Sequence, residues 1–396
     1  MKKIDVNADN PLFYSYLMGD FNSFSKHVKS GVNINCINEE NYSLISLVIK
    51  NIHKHKNNKK FFDLLISNGV SLKQIGWEKD LLTTCVIHQK DMYYAKELLK
   101  NNVNINSVGI TCSYEKYGDE EYEEGWSFVQ DGIIKIPYGP PIFEALKAGK
   151  IDYFELFLKN NASLETFDSY GDSILHFLLL GYGSNLFDHA TDMKIFNTLL
   201  DNGADIHIRN DNGFDVLNLL VDSTKKDFFE FLFKKIKNIN VNSRDRFGRT
   251  PLINSGVCCS SLSFAKILIK QGANLDIYDV YNNNALMVSV DFDNIKLFKL
   301  LVNSGANVKS VNKLGDNIMH FIANTNFDSN SKKYCEIILK NNPELLTEKN
   351  HSGVSALDIL KEFGNYKNDN KKFFDKFIKK AKKQKTKISS NEFCIV

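Results

Sequence analysis

Two residues of this chain stand at a spacing that suits nucleophilic chemistry. Cys85 and His88 are three apart in a stretch of helical pattern, so their side chains would share one face, as a thiolate and its general base must. The competing reading is that Cys85 is an inert core thiol, since a reactive one needs an electropositive and partly exposed setting. His53-Lys54-His55 is the other short run of ligand atoms; it sits in a loop rich in Lys and Asn and makes a weak metal candidate. The seven cysteines (36, 85, 112, 258, 259, 335 and 394) are odd in number and form no CxxC pair, and the adjacent Cys258 and Cys259 are poorly placed to bond each other or share a metal. Reduced thiols are the plain reading. No phosphate loop or dinucleotide fingerprint is present, and no acids, bases and nucleophiles converge in the sequence as catalysis requires. The expectation is a protein that is not an enzyme, with no catalytic residues, no cofactor, no metal and no small-molecule substrate.

The elements that would position such groups must come from 396 residues, of which 43% are hydrophobic, enough for a buried core. A formal net charge of only +3 argues against a nucleic-acid protein with a single-signed surface field. Charge is nevertheless uneven: between Lys367 and Lys387 there are ten Lys and two Asp, a local +8. The first residues, Met1 to Asn7, lack the apolar stretch of a signal peptide, and the longest apolar run lies near Ile174 to Leu180. No transmembrane segment and a cytoplasmic location are therefore expected.

Internal repetition organises the chain. One phrase, two apolar residues, two polar ones, then Gly or Asn and a small residue, recurs with a period near 33. It reads Leu65-Ile66-Ser67-Asn68-Gly69-Val70, Leu98-Leu99-Lys100-Asn101-Asn102-Val103, Leu199-Leu200-Asp201-Asn202-Gly203-Ala204, Leu268-Ile269-Lys270-Gln271-Gly272-Ala273 and Leu301-Val302-Asn303-Ser304-Gly305-Ala306, with further copies ending at Ala162 and Pro343. A second phrase precedes it by about two dozen residues, as in Phe247-Gly248-Arg249-Thr250-Pro251-Leu252 and Leu314-Gly315-Asp316-Asn317-Ile318-Met319-His320. Thr or Ser suits a helix N-cap, Pro its first turn, and the Gly or Asn after the apolar pair a left-handed helix end. Each unit thus reads as two short helices and a turn. The sixth, with Phe231-Leu232-Phe233-Lys234-Lys235-Ile236-Lys237, carries no Gly, which leaves the end of its second helix open.

With both phrases in register, the chain resembles the ankyrin-repeat family, whose motif runs G-x-T-P-L-H-x-A and later L-L-x-x-G-A; the resemblance covers about residues 10 to 384 in nine or ten degenerate units. It implies an all-α solenoid of helix-turn-helix units with β-hairpin fingers, stabilised by stacking of neighbours. Units are expected at 10–37, 38–76, 77–108, 138–168, 169–210, 211–245, 246–279, 280–312, 313–350 and 351–384. His176 and His320 fall at the family's structural histidine, whose ring joins hydrogen bonds between turns, and Cys85 falls where the repeat wants Ala in the packed core.

The resemblance also places recognition on the fingers and the concave face they line with the first helices. The residues just before the finger Gly or Asn are Tyr170, Asn212, Phe247, Tyr281 and Leu314, flanked by Arg246, Arg249, Val280 and Lys313. Large apolar groups left exposed there would act as interface anchors; the alternative is that they pack on the next finger. Residues 109–137 interrupt the repeat as an insertion rich in acids and aromatics, among them Tyr114, Tyr117, Glu120, Glu121, Tyr122, Trp126 and Phe128. Alternation of Trp126, Phe128, Ile134 and Ile136 around Gly132 predicts a long hairpin, an extended finger able to meet a basic partner, or else a tolerated surface insertion.

The arrangement expected is thus repeats 1–3 in 1–108, the insertion in 109–137, repeats 4–10 in 138–366, a basic amphipathic capping helix in 367–387 and a disordered tail in 388–396. In that helix Phe373, Phe374, Phe377, Ile378 and Ala381 share one face. Capping of the last repeat is its structural reading; nuclear import or attraction to anionic lipid by Lys379 to Lys385 is the functional one. The functional expectation is a monomeric, non-catalytic module that masks, inhibits or bridges a protein partner, as an effector delivered by a bacterium into host cytosol. A cytosolic protein that neutralises a toxin and a nuclear factor using the basic helix are the alternatives.

Overall fold

The first helix of every pair is seven or eight residues long, below the roughly 12–15 at which an isolated helix becomes even marginal in water, so these segments form through caps and burial. The computed structural model describes residues 10–38, 42–51, 55–73, 80–88, 91–107, 110–113, 128–130, 133–137, 139–168, 171–180, 188–222, 225–257, 262–325, 329–363 and 368–392; for the strands between 110 and 137, and for 368–369 and 383–392, it describes the backbone alone. The chain divides into two units, 1–205 and 206–396.

In the first unit the helices are α1 (Pro11–Leu17) and α2 (Phe21–Lys29), α3 (Leu44–Lys50) and α4 (Asn58–Ser67), α5 (Leu81–His88) and α6 (Tyr93–Lys100), α7 (Pro141–Lys147) and α8 (Ile151–Lys159), and α9 (Ile174–Leu180) and α10 (His189–Asp201). In the second they are α11 (Val216–Asp222) and α12 (Lys226–Lys235), α13 (Pro251–Val257) and α14 (Leu262–Lys270), α15 (Ala285–Asp291) and α16 (Ile295–Asn303), α17 (Ile318–Asn324) and α18 (Ser329–Leu339), and α19 (Ala356–Glu362) and α20 (Asn368–Glu392), with a 3-10 turn at Pro343–Leu346. In the second unit α11, α13, α15, α17 and α19 each pack on the next, and α12, α14, α16 and α18 form a second row. The same order holds in the first unit for α3, α5 and α7, and for α2 on α4. Within each unit, helix pairs stacked on helix pairs are the packing of a repeat solenoid, as the resemblance implies.

Burial follows from that stacking. First helices are covered nearly all round: every residue from Ala285 to Val290 of α15 is buried, as is every residue from Pro251 to Gly256 of α13. Second helices bury one stripe at positions i, i+1 and i+4, as in Phe61-Phe62-Leu65, Tyr153-Phe154-Phe157, Phe228-Phe229-Leu232 and Leu297-Phe298-Leu301. N-caps are supplied by Asn10, Asp20, Ser43, Asp188, Asn284, Asn317 and Ser355, whose side chains accept backbone N–H groups of the first turn. Second helices end at a left-handed residue where the repeat phrase places one, including Asn102 at φ 58° and Asn161 at φ 60°.

One local feature that the sequence left open is defined, and two others differ from the sequence reading. The second helix of the sixth unit ends at Lys235, with extended Ile236 behind it and the left-handed residue delayed to Asn238 at φ 59°. Asn342 is not left-handed but sits at φ −128°, before Pro343, whose ring crowds the backbone of the residue that precedes it. The insertion is a three-stranded antiparallel sheet instead of a lone hairpin: β1 (Ile110–Ser113), β2 (Phe128–Gln130) and β3 (Ile133–Pro137), in the order β1-β3-β2. The expected hairpin is there as β2 and β3, with Val129 opposite Ile134, and β1 adds to the other edge of β3, with Thr111 opposite Ile136.

The terminal helix α20 runs to Glu392, past the 387 expected, through residues placed in the tail; from 365 onward the chain holds no Gly or Pro to interrupt it. Its buried residues Phe374, Phe377 and Ala381 belong to one face, and the helix packs on the Pro343–Leu346 turn. Lys371, Lys372, Lys376, Lys379, Lys380 and Lys382 are exposed. No helix among the described residues is long and apolar enough to cross a membrane.

Candidate partner-binding surface

Four successive fingers of the second unit share one construction, which recurs in a fifth at Asn350 to Val354. An Asn or Asp opens each, and its Oδ1 accepts the backbone N–H groups two and four residues on: Asn210 from Asn212 and Phe214, Asp245 from Phe247 and Arg249, Asp279 from Tyr281 and Asn283, and Asn312 from Leu314 and Asp316. The same residue's N–H reaches the carbonyl oxygen four positions later, at 2.9–3.0 Å in all four. The fourth position is left-handed, Gly in three fingers and Asn282 at φ 65° in the other.

Adjacent fingers are tied in turn. Val280 N–H donates to the Phe247 carbonyl at 2.9 Å, Lys313 N–H to that of Tyr281 at 3.3 Å, and His351 N–H to that of Leu314 at 3.0 Å. Arg244 adds a clasp, donating Nε to the Gly248 carbonyl at 3.0 Å and Nη2 to the carbonyl of Tyr278. The approach is close enough that a Cβ at Gly213 would lie 2.4 Å from the Arg246 backbone nitrogen. Because the backbone carbonyl of the residue before the left-handed position is used in this ladder, its side chain is turned out on a supported strip.

The side chains on that strip are unequal. Tyr281 is 60% and Leu314 64% exposed, and Val280 and Val311 are exposed beside them. Phe247 is half-buried because two guanidinium groups cover its ring, Arg246 at 4.7 Å and Arg249 at 5.2 Å from the centroid. Arg246 itself is exposed. Tyr170, and Tyr114, Tyr117, Glu120, Glu121, Tyr122 and Trp126 of the insertion, lie outside the described residues, and Phe128 is placed in β2 by its backbone alone.

Beside Tyr281 and Leu314 the surface opens into a groove of about 470 Å³, lined also by Asp291, Lys313, Asp316 and Phe321. Sequence reading did not single out Asp291 or Phe321. Its signal was available: Asp291 and Asn324, which also lines the groove, close the first helices of neighbouring units 33 residues apart, the period of the repeat. Asp291 is accessible yet crowded, and crowding together with the nearby Asp279 carboxylate pushes its pKa up to about 6. Asp316 is held by Asn350, whose Nδ2 donates to Oδ1 at 2.7 Å.

The groups that suggested chemistry in the sequence are placed as packing. Cys85 is fully buried in α5, and burial, then Asp80 and Asp91, push its thiol far above the usual range, which suppresses the thiolate that a nucleophile needs. His320 is fully buried; its Nδ1 accepts the Asn317 N–H at 3.2 Å and its Nε2 lies 3.1 Å from the Val354 carbonyl, in the next finger. His176 is equally buried, 2.6 Å from Ser173 Oγ. His55 packs edge-on to Tyr16, with ring centroids 5.2 Å apart; His53 and Lys54 lie outside the described residues. Among those described, no three His, Cys, Asp or Glu gather as a metal site.

A family model described as ankyrin repeats in three copies matches residues 186–279 and 226–312. An ankyrin repeat protein of Acanthamoeba polyphaga mimivirus is 26% identical over 46% of this chain and 27% of its own length, and one of Variola virus 25% identical over 41% and 28%. The phosphocholine transferase AnkX of Legionella pneumophila is 24% identical over 42% of this chain and 16% of its own. The chain thus spans little more than a quarter of the viral relatives. Among solved structures, the ankyrin repeat domain of Bcl-3 matches with a TM-score of 0.45 at 16% identity, over 55% of this chain and 92% of that one.

Proposed function

Because this chain is an ankyrin-repeat protein, a protein-interaction module, we propose that it acts by occupancy, masking, inhibiting or bridging one protein partner held against the finger row of its second unit. The observation that carries this reading is the strip of Val280, Tyr281, Val311 and Leu314, large apolar groups kept in solvent on fingers that are bonded to one another. Apolar side chains on a rigid support bury area at little entropic cost when a partner arrives, which is what concentrates binding energy in a few anchors. Arg246, Phe247 and Arg249 extend the strip as a cation-aromatic cluster. The 109–137 insertion is a second contact: between 109 and 127 the sequence carries six acidic residues against one Lys, which favours a basic partner surface.

The setting we propose is the interior of a host cell, where an effector would act; in favour is that two of the relatives belong to viruses, whose proteins work inside host cells. A toxin-neutralising protein that stays in its own cytosol is separated from this by a delivery assay on a reporter fused to residues 385–396, which only an effector's tail carries across. For the binding reading itself, a partner captured on the wild-type chain is titrated against the Tyr281→Ala/Leu314→Ala variant, against replacement of 110–136 by a short Gly-Ser link, and against deletion of 368–396. Loss of affinity in the first with an intact circular dichroism spectrum supports the finger row. Loss only on deletion of 368–396 would move the function to the basic helix.

A further inference from the structure

The groove beside Tyr281 and Leu314 is electronegative for reasons that add. It is floored by the last turns of α15 and α17, the ends toward which a helix's peptide dipoles point their negative pole, and neither last turn holds a basic residue. Asp291 stands at the end of α15, where a carboxylate is least welcome, and Asp279 lies near enough to repel it. Asp316 lines the same space. Among the described residues Asp291 has neither an ion pair nor a hydrogen-bond donor from a side chain. Among the described residues, Lys313, exposed on the finger, is the one cation lining the groove. Tyr281 and Phe321 present aromatic rings to the same volume, and a cation among aromatics and carboxylates is favoured twice. At about 470 Å³ the space is near the small end of ligand pockets, roughly 300–1,000 Å³, and so admits a side chain or two but not a folded surface.

We infer that this groove is the seat for a lysine or arginine side chain on an extended segment of the protein partner, with an apolar neighbour in that segment resting on Tyr281 and Leu314. The inference rests on the finger row as the binding surface and adds the chemistry of what it holds. An incoming cation relieves the repulsion between Asp291 and Asp279, whereas a neutral side chain of the same length leaves that charge desolvated. Charge therefore selects the occupant, and the apolar strip supplies area.

The test uses the full chain and fluorescein-labelled pentapeptides with leucine on each side of a central arginine, lysine, citrulline or norleucine, titrated by fluorescence polarisation at low ionic strength. The arginine and lysine probes are expected to bind about tenfold tighter than citrulline and norleucine, about 1.4 kcal/mol. Asp291→Asn removes that preference, and Asp211→Asn, on an exposed finger outside the groove, keeps it. For the wild type the preference also fades as pH falls through about 6, where Asp291 takes up its proton; this arm needs no variant to fold. Equal binding of citrulline and arginine, a preference that survives Asp291→Asn with native circular dichroism, or no binding of any probe overturns the inference. If a captured partner still depends on Tyr281 and Leu314, the binding reading stands while this one falls; if it does not, the binding reading itself falls.

Discussion

Replacing Gly213 by Ala puts a methyl group where the next finger already is. The added Cβ would stand 2.4 Å from the Arg246 backbone nitrogen and 3.1 Å from its Cα, and φ at this position is +75°. Two costs follow and can be separated. The left-handed conformation costs an L-residue about 1–2 kcal/mol wherever it occurs. The clash is with backbone, which cannot swing aside as a side chain can, so the finger of 245–249 must shift; overpacking of this kind costs typically about 1–3 kcal/mol. Gly272 supplies the control, since its φ is +87° and nothing lies within 4 Å of its Cβ position. Gly272→Ala should therefore lose about 1–2 kcal/mol and Gly213→Ala about 2–5 kcal/mol. Urea denaturation followed by circular dichroism measures both. Equal losses in the two variants would refute the claim that the fingers are in backbone contact.

Other consequences are as direct. Burial raises the Asp80 pKa from 3.8 to about 6, so the fold binds a proton more tightly than the unfolded chain there; the stability this group contributes is complete below pH 3.8 and is lost as pH rises through about 6. Asp80→Asn keeps an Oδ1 acceptor for the Thr83 N–H and removes the charge, and should stabilise the chain at pH 7.5 by about 1–3 kcal/mol, but not at pH 3.5, as thermal melts at the two pH values would show. Phe298→Ala, in the buried stripe of α16, should cost about 3–5 kcal/mol in the same assay, and a loss below 1 kcal/mol would deny the stacked core. Cys85 and Cys335 are fully buried with thiols pushed upward, so peptide mapping after iodoacetamide should find both unmodified in native protein and modified in urea.

The sequence made the fold legible because a stacked architecture repeats its constraints: a cap, a buried stripe and a left-handed exit recur at the same offsets, and several weak copies in register outweigh any single one. Where local chemistry overrode the template, the reading slipped. Pro343 crowds the backbone of Asn342, which is not left-handed, and β1 found an edge of β3 that no pattern in 110–113 announced. Exposure on the fingers was readable for Tyr281 and Leu314 from their place before the left-handed residue. Coverage of Phe247 by Arg246 and Arg249 was not, since it depends on where two long side chains fold back. Asp291 escaped because a helix-ending acid looks like ordinary surface until the neighbouring unit is set beside it. Cys85 and His88 illustrate the converse: their spacing fits a catalytic pair, but the stack buries Cys85.

The central claim is that a partner lies on the finger row. Photo-crosslinking tests it most directly: p-benzoylphenylalanine is placed at position 281 on the exposed finger and, in a second protein, at position 266 on the exposed face of α14. With the captured partner present, covalent product is predicted from position 281 and not from 266. Product from 266 with none from 281, in a folded protein, would contradict the account.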